Sequence, residues 1–237
     1  MENTTAIYGV SLGPGDPDLI TVKGLKTLKK VDLIYYPGSI FSDGKKQSYS
    51  LKILEGLNID SKKLRGFYMK MTMDRQFVHS VYDETCQNII SEVTKGKKIA
   101  IVCEGDLSTY SSFSYLLERF QKHQLQVTLI PGITSFHLGA SESQTPLALL
   151  NETIKILPFF DSRENIEKVL EETNTIILMK IKSVMHQIIP MLKENNLSFT
   201  YCEALGTPQQ FMTSSLDDLK DRKVPYFSLM IIKNTRI

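Results

Sequence analysis

The sequence predicts an α/β protein built as two α/β domains, with a mainly parallel sheet in the N-terminal domain, a mixed sheet in the C-terminal domain and a cleft between them. Three observations predict it. Short runs rich in β-branched and aromatic residues alternate with helix-patterned stretches along the 237 residues, the mark of repeated βα units under a helical cover. Three of the apolar runs end in a glycine turn, "LGPGDP", "CEGDLS" and "IPGITS", and ligands of open α/β sheets bind outside the carboxyl ends of the strands. The alternation continues less cleanly beyond "QTPLALLNE", around Pro146, which reads as a connection. The domains are taken as residues 1–138 and 139–237.

The elements follow in order. "TAIYGVSL" reads as a buried strand and "LITVKGLKTLKKV" as a helix whose Leu19, Val22, Leu25, Leu28 and Val31 recur at three-residue spacing on one face. "DLIYYP" is a strand stopped by Pro37 and Gly38, and "FSDGKKQSYS" is a polar loop. "HSVYDETCQNIISEVTKG" is a helix closed by Gly96 at its C-terminus. "KKIAIVCEGD" is the clearest buried strand, "YSSFSYLLERFQKH" a helix, "LQVTLIPG" a strand and "ITSFHLGASES" a helix start. In the second half "TIKILPFF", "TNTIILMKI" and "PYFSLMIIK" are strand-like, "SFTYCEALGTPQQ" holds a strand ending in Gly206, and "SRENIEKVLEET" and "KSVMHQIIPMLKENN" are helical.

Composition narrows the function classes. Twenty-eight Lys plus Arg against 26 Asp plus Glu give a net charge of +2, which does not point to a nucleic-acid or membrane partner. Cys86, Cys103 and Cys202 are widely spaced, without CxxC or Cys/His pairing; this argues against a structural zinc site or a disulfide framework and fits a reducing compartment, and no metal site is expected. No basic-then-apolar leader opens the chain, and no apolar run approaches the ~20 residues that span a bilayer. A cytoplasmic location is expected.

The first glycine loop, "SLGPGDPDLITVKGL", fails both familiar nucleotide tests. A dinucleotide fingerprint needs a third glycine where Asp18 stands, and nothing supplies the Gly-Lys-Ser/Thr of a P-loop. Asp16 and Asp18 would also repel a triphosphate. On its own the stretch is either a tight strand-to-helix turn or a site for something other than a polyphosphate.

Taken together, the motifs resemble those of the tetrapyrrole (corrin/porphyrin) methylases, S-adenosylmethionine enzymes that methylate porphyrinoid rings. "YGVSLGPGDPDLITVKGLKTLKKVDLIYY" is similar to the family's opening, "CEGDLSTYSSFSYLLERF" to its second motif, "LIPGITSF" to its third and "EALGTPQQ" to its last, in family order. "YSSFSYLLERF" and "PYFSLMII" most resemble the members acting at carbon 20 of precorrin-2 or cobalt-factor II on the route to vitamin B12. The chain departs from the pattern at Leu107, where proline commonly follows Gly-Asp, and at Pro37, where the uroporphyrinogen methylases carry an aspartate. The second departure removes one candidate general base.

The resemblance implies a homodimer with S-adenosylmethionine folded over in the interdomain cleft, S-adenosylhomocysteine as product and a tetrapyrrole as substrate. Carried over by position, cofactor contacts fall at Pro14, Glu104, Gly105, Asp106, Thr109, Thr134, Ser135, Met179, Ala204 and Gly206, many of them through backbone. Gly15, Asp16 and Tyr110 are expected at the substrate: an acidic loop attracts a sulfonium cation and accepts from pyrrole N–H groups. Asp106 is the first candidate for a base taking the proton from the methylated carbon, or else it caps the following helix. Lys180 orients a ring carboxylate or assists proton movement, or is a solvated lysine at a strand end. His137 reads as a packing or hydrogen-bonding residue rather than a ligand, His79, His123 and His186 as surface, and Tyr8, Tyr35 and Tyr36 as strand core. The rival readings are a family member acting at another ring carbon, a relative acting on protein or ribosomal RNA, and a tetrapyrrole- or nucleotide-binding module without turnover.

Overall fold

The computed structural model of the chain describes residues 6–41, 43–70, 75–158 and 162–234. Thr5, Ser42, Phe159 and Phe160, read above as strand or loop, lie outside them. The chain forms two compact units, Met1–Thr134 and Ser135–Ile237.

The first unit is a sheet of β1 (Ile7–Ser11), β2 (Leu33–Ile40), β3 (Lys46–Gln47), β4 (Leu64–Lys70), β5 (Ile99–Cys103) and β6 (Val127–Ile130). Its order is β3-β2-β5-β1-β6 with β4 also on β2, and every pairing is parallel except β2 with β3. Among the described residues, four α-helices accompany it: α1 (Val22–Lys30), α2 (Tyr49–Gly56), α3 (Arg75–Thr94) and α4 (Phe113–Lys122). One face buries Ile53, Leu54 and Leu28 against Val10, Ile34 and Val102; the other buries Tyr82, Ile89, Leu116 and Phe120 against Ile7, Ile99 and Ile101. Burial on both faces is what makes β5 a continuous apolar run in sequence.

The second unit holds β7 (Ile154–Leu157), β8 (Thr175–Met179), β9 (Ser198–Glu203), β10 (Phe211–Thr213) and β11 (Ser228–Lys233), in the order β10-β9-β11-β8-β7. Only β7 and β8 run parallel, so this sheet is mixed, as expected. Helices α5 (Ser135–Glu142), α6 (Arg163–Glu172) and α7 (Met185–Glu194) complete the unit, and Ile166, Ile188, Met191 and Leu192 join Ile176, Tyr201 and Met230 in its core.

Three expectations need correction. Pro37 and Gly38 do not stop β2, which runs on to Ile40 with Pro37 opposite Phe67. On the other side of β2 the pairing with β5 ends at Tyr35 and that with β3 begins at Ser39, so the missing proline N–H falls in a gap between partners. The polar stretch after Phe41 is not all loop, because Ser48 Oγ accepts the Leu51 N–H at 3.0 Å and caps α2. Finally, Val22 of the three-residue stripe is 69% exposed; the buried side of α1 runs through Gly24 and Leu28. Gly96, with φ +83, follows α3 as a helix terminator should.

Candidate active site

The strand ends of the first unit are stitched together by backbone and by one carboxylate. Leu12 N–H donates to Cys103 O at 2.9 Å, and Gly13 and Gly105 then exchange two hydrogen bonds of 3.2 and 2.7 Å. Both glycines have positive φ, +84 and +67, which lets the loops after β1 and β5 turn toward each other. A side chain at Gly105 would meet nothing within 4 Å. Its N–H and C=O are taken by Gly13, but the side on which a side chain would project is open, which leaves room for a ligand against the main chain there.

Asp106 ties this pair to a third loop. Its Oδ1 accepts from the Ser108 N–H at 2.8 Å and from the Ser108 hydroxyl; its Oδ2 accepts from Gly132 N–H at 2.8 Å and Ser11 Oγ at 3.4 Å. Burial raises the Asp106 pKa, but the Ser108, Gly132 and Ser11 donors outweigh it, and the net shift is downward from the ordinary carboxylate value. Ser11 Oγ in turn accepts the Leu107 N–H at 3.0 Å, a bond that a proline at this position could not donate. The departure at Leu107 therefore has a use in this chain.

The remaining expected residues of the first unit sort themselves by local geometry. Pro14 and Gly15 are buried, next to the Gly13–Gly105 bridge. Asp16 Oδ1 accepts the Asp18 N–H at 2.9 Å and caps the short helical turn Pro17–Leu19, so one oxygen of the acidic loop serves the turn itself. Glu104 Oε1 accepts from Ser50 N–H at 2.9 Å and Ser50 Oγ at 2.7 Å, which fastens the start of α2 to the end of β5. Thr109 N–H donates to Asp106 O at 3.3 Å; Tyr110, with φ 51, is 49% exposed. Thr134 is buried two residues beyond Gly132, at the end of the unit.

In the second unit Ser135 opens α5, and the other four expected residues flank the start of β11. Met179 and Cys202 both sit opposite Leu229. Lys180 N–H donates to Ser228 O at 3.1 Å and Ala204 N–H to Phe227 O at 3.0 Å. Lys180 (φ 55), Ala204 (φ 48) and Gly206 (φ 73) share the left-handed region, so β8 and β9 both end in sharp turns beside one strand. Thr207 Oγ1 donates to Ala204 O at 2.7 Å, and Gln210 Oε1 accepts Gly206 N–H at 2.7 Å.

A partly buried ion pair braces the Ala204 turn. Glu203 is 8% exposed; it accepts from the Tyr201 hydroxyl and from Arg222, whose Nε lies 3.1 Å from Oε2 and whose Nη2 bonds Oε1. The Arg222 guanidinium stacks on the Phe211 ring at 3.5 Å from its centroid. Burial and the neighbouring Glu203 push the Tyr201 pKa up, while Glu203 raises that of Arg222. Sequence reading missed this network, along with Ser11, Ser50 and Gly132, because the partners lie 19, 95, 54 and 26 residues apart. Among the described residues no group of three or more His, Cys, Asp or Glu is placed to hold a metal.

The sequence model of the Tetrapyrrole (Corrin/Porphyrin) Methylases matches residues 6–220. The chain belongs to this family. A Methanocaldococcus jannaschii methylase named probable cobalt-precorrin-2 C(20)-methyltransferase is 29% identical over 96% of this chain and 95% of its own length. The cobalt-precorrin-2 C(20)-methyltransferase of Salmonella typhimurium is 26% identical over 95% of each chain. Among solved structures, a cobalt precorrin-4 methyltransferase superposes with TM-score 0.70 at 18% identity, covering 96% of this chain and 94% of its own. The uroporphyrin-III C-methyl transferase of Thermus thermophilus, complexed with S-adenyl homocysteine, superposes with TM-score 0.66 at 14% identity over 96% of both. At these identities the structural likeness is one of fold, and it is the two-domain methylase fold.

Proposed function

We propose that this methylase transfers a methyl group from S-adenosylmethionine to carbon 20 of a precorrin-2-type ring, metal-free or carrying cobalt, in cobalamin biosynthesis. One observation carries the choice of carbon. Relatives named for C(20) methylation align over 95% or more of this chain and 94% or more of their own lengths. A relative named cobalt-precorrin-4 C(11)-methyltransferase aligns over only 63% of this chain and 50% of its own length. The same reading includes a homodimer and a cytoplasmic location; no helix of the described residues is long and apolar enough to cross a membrane.

We assign the cofactor to the strand-end turns: Pro14, Glu104, Gly105, Thr109 and Thr134 in the first unit, Ser135, Met179, Ala204 and Gly206 in the second. When bound, the sulfonium supplies a methyl group to an in-line displacement that consumes its positive charge. Residues that gripped that charge would favour the ground state over the transition state. Turns offering backbone groups and the apolar Met179 avoid this, and holding two reactants in line is worth roughly 7–11 kcal/mol. The open space at Gly105 fits a ligand lying against main chain.

Gly15, Asp16 and Tyr110 are assigned to the tetrapyrrole. Asp106, with both oxygens engaged and its pKa lowered, is better suited to holding three loops in register than to accepting a proton. Lys180, exposed at the end of β8, is the residue we assign to a ring carboxylate. The test is incubation with carbon-13-methyl-labelled cofactor and either precorrin-2 or cobalt-factor II, read by carbon-13 NMR. Label at carbon 20 is expected; label at another carbon overturns the position, and label on neither ring overturns the function.

A further inference from the structure

Two exposed aromatic residues stand where the turns of the second unit meet. Tyr226 and Phe227 immediately precede β11 and are each 46% exposed. Their rings meet edge to face, with centroids 5.2 Å apart and planes at 85°. Adjacent exposed aromatics form a contiguous apolar patch, the kind of surface that marks a binding site. Their backbone is fixed from both sides, because Phe227 O takes the Ala204 N–H and Ser228 O takes the Lys180 N–H. They are thus continuous with the Met179–Lys180 and Ala204–Gly206 turns.

We propose that Tyr226 and Phe227 form a platform for the flat face of the tetrapyrrole, with the Lys180 ammonium beside it taking one peripheral carboxylate. The proposal rests on the methylase reading above and adds the surface that recognises the ring. A π-rich disc is matched by aromatic side chains held at fixed spacing, and a tyrosine offers an apolar body with a polar tip. The two χ angles of each ring leave little conformational entropy to lose on binding. The charge setting is favourable to an anionic substrate: exposed Lys180, Lys182 and Lys223 lie in the turns on either side. Of the acids nearby, Glu203, opposite Ser228 in the sheet, is paired with Arg222, and the exposed Asp217, Asp218 and Asp221 before Tyr226 are interleaved with the exposed Lys220 and Lys223. With the two planes at 85°, one ring stacks on the macrocycle and the other meets it edge-on, so a disc wide enough to reach past the first ring engages both side chains.

The experiment titrates the full chain and its Tyr226→Leu, Phe227→Leu and doubly substituted variants with cobalt-factor II, followed by absorbance, and with S-adenosylhomocysteine, followed by calorimetry. Leucine keeps apolar bulk and leaves the backbone bonds of Phe227 and Ser228 intact, and Tyr226→Leu alone serves should the double variant fold poorly. The Kd for the ring is expected to rise about tenfold in the double variant, with KM raised and the cofactor Kd unchanged. An unchanged ring Kd overturns the platform, as does a parallel loss of cofactor affinity or a change of oligomeric state in sedimentation. A wild-type chain that binds S-adenosylhomocysteine but not the ring overturns the substrate reading, and this proposal with it. That pattern is distinct from wild type and variants binding the ring equally well.

Discussion

Asp106 Oδ2 accepts the Gly132 N–H at 2.8 Å, and this bond joins the ends of two strands, β5 and β6, that are separated in the sheet by β1. The carboxylate reaches across β1 and touches Ser11 Oγ on the way. Asp106→Asn keeps one acceptor oxygen but turns an amide N–H₂ toward donors. Hydrogen bonds to a charged group are worth about 1.5–3 kcal/mol each, so a stability loss of about 2–3 kcal/mol is expected in urea denaturation, together with weaker S-adenosylhomocysteine binding. The kcat/KM pH profile should keep its shape. A large fall in kcat with cofactor affinity and stability intact would make Asp106 the base instead. The sign of its pH dependence follows from its lowered pKa. The stability it adds is present above the unfolded value of 3.8 and is lost as pH falls through the lower folded value.

Gly132 tests the same junction from the other side. A Cβ there would lie 2.5 Å from Ser11 Cβ and 3.0 Å from Gly105 O. Neither neighbour is the free end of a flexible chain, so the loops must part. Gly132→Ala is expected to destabilise by about 1–3 kcal/mol and to weaken cofactor binding more than Gly96→Ala, whose Cβ would meet nothing within 4 Å. Thermal melts with and without S-adenosylhomocysteine separate the two effects; equal ligand-induced shifts in both variants would show that the junction does not shape the site.

How far the sequence foretold this architecture depends on whether a signal was local. The apolar runs of β1, β5 and β11 and the glycine turns that follow β1 and β5 carry their meaning within a few residues, and they mark strands and strand-end loops correctly. β4 escaped because "LRGFYMK" is an edge strand whose Arg65 and Lys70 are exposed, so it lacks the continuous apolar run of β5. β2 ran past Pro37 because the pairing gap that tolerates a proline is set by β3 and β5, which local residues cannot announce. The residues expected near the cofactor were legible as motifs, but what holds them was not. Ser50 grips Glu104 from 54 positions away, and Arg222 meets Glu203 only once β9 and the turn before β11 have formed.

Arg222 offers a test of that hidden layer. Its removal leaves the Glu203 carboxylate, 8% exposed, with the Tyr201 hydroxyl as its one side-chain partner among the described residues. Breaking a buried pair by deleting one partner costs about 3–5 kcal/mol. Arg222 is 30% exposed, so a somewhat smaller loss, about 2–3 kcal/mol, is expected for Arg222→Ala. Replacing both charges, as Glu203→Gln with Arg222→Met, should recover more than half of it, since no charge is then stranded. Urea midpoints of the single and double variants decide the matter; a double variant no more stable than Arg222→Ala would mean that the stacking on Phe211, rather than the charge pair, carries the stability.

The buried thiols predict the behaviour in alkali. Burial pushes Cys103 from 9.0 up to about 12 against a smaller lowering by Ser111, and it does the same to Cys202. Cys86 is raised too, again chiefly by burial. The thiolate is the reactive form, so a disulfide exchange reagent at pH 8 should modify none of the three within minutes in the native protein and all three once guanidinium unfolds it. A folded-state pKa above the unfolded one means that the folded protein holds its protons longer. The contribution is therefore complete below pH 9.0 and is lost as pH rises toward about 12. Between those values each such thiol lowers stability by about 1.4 kcal/mol per pH unit. Alanine at Cys103 or Cys202 removes the titrating group, so the fall in urea midpoint above pH 9.0 should become shallower in each variant, even if the variant is less stable at neutral pH. An unchanged alkaline slope would mean that raised phenols such as Tyr36, lifted to about 12 by burial and by its hydrogen bond to Tyr68, dominate instead.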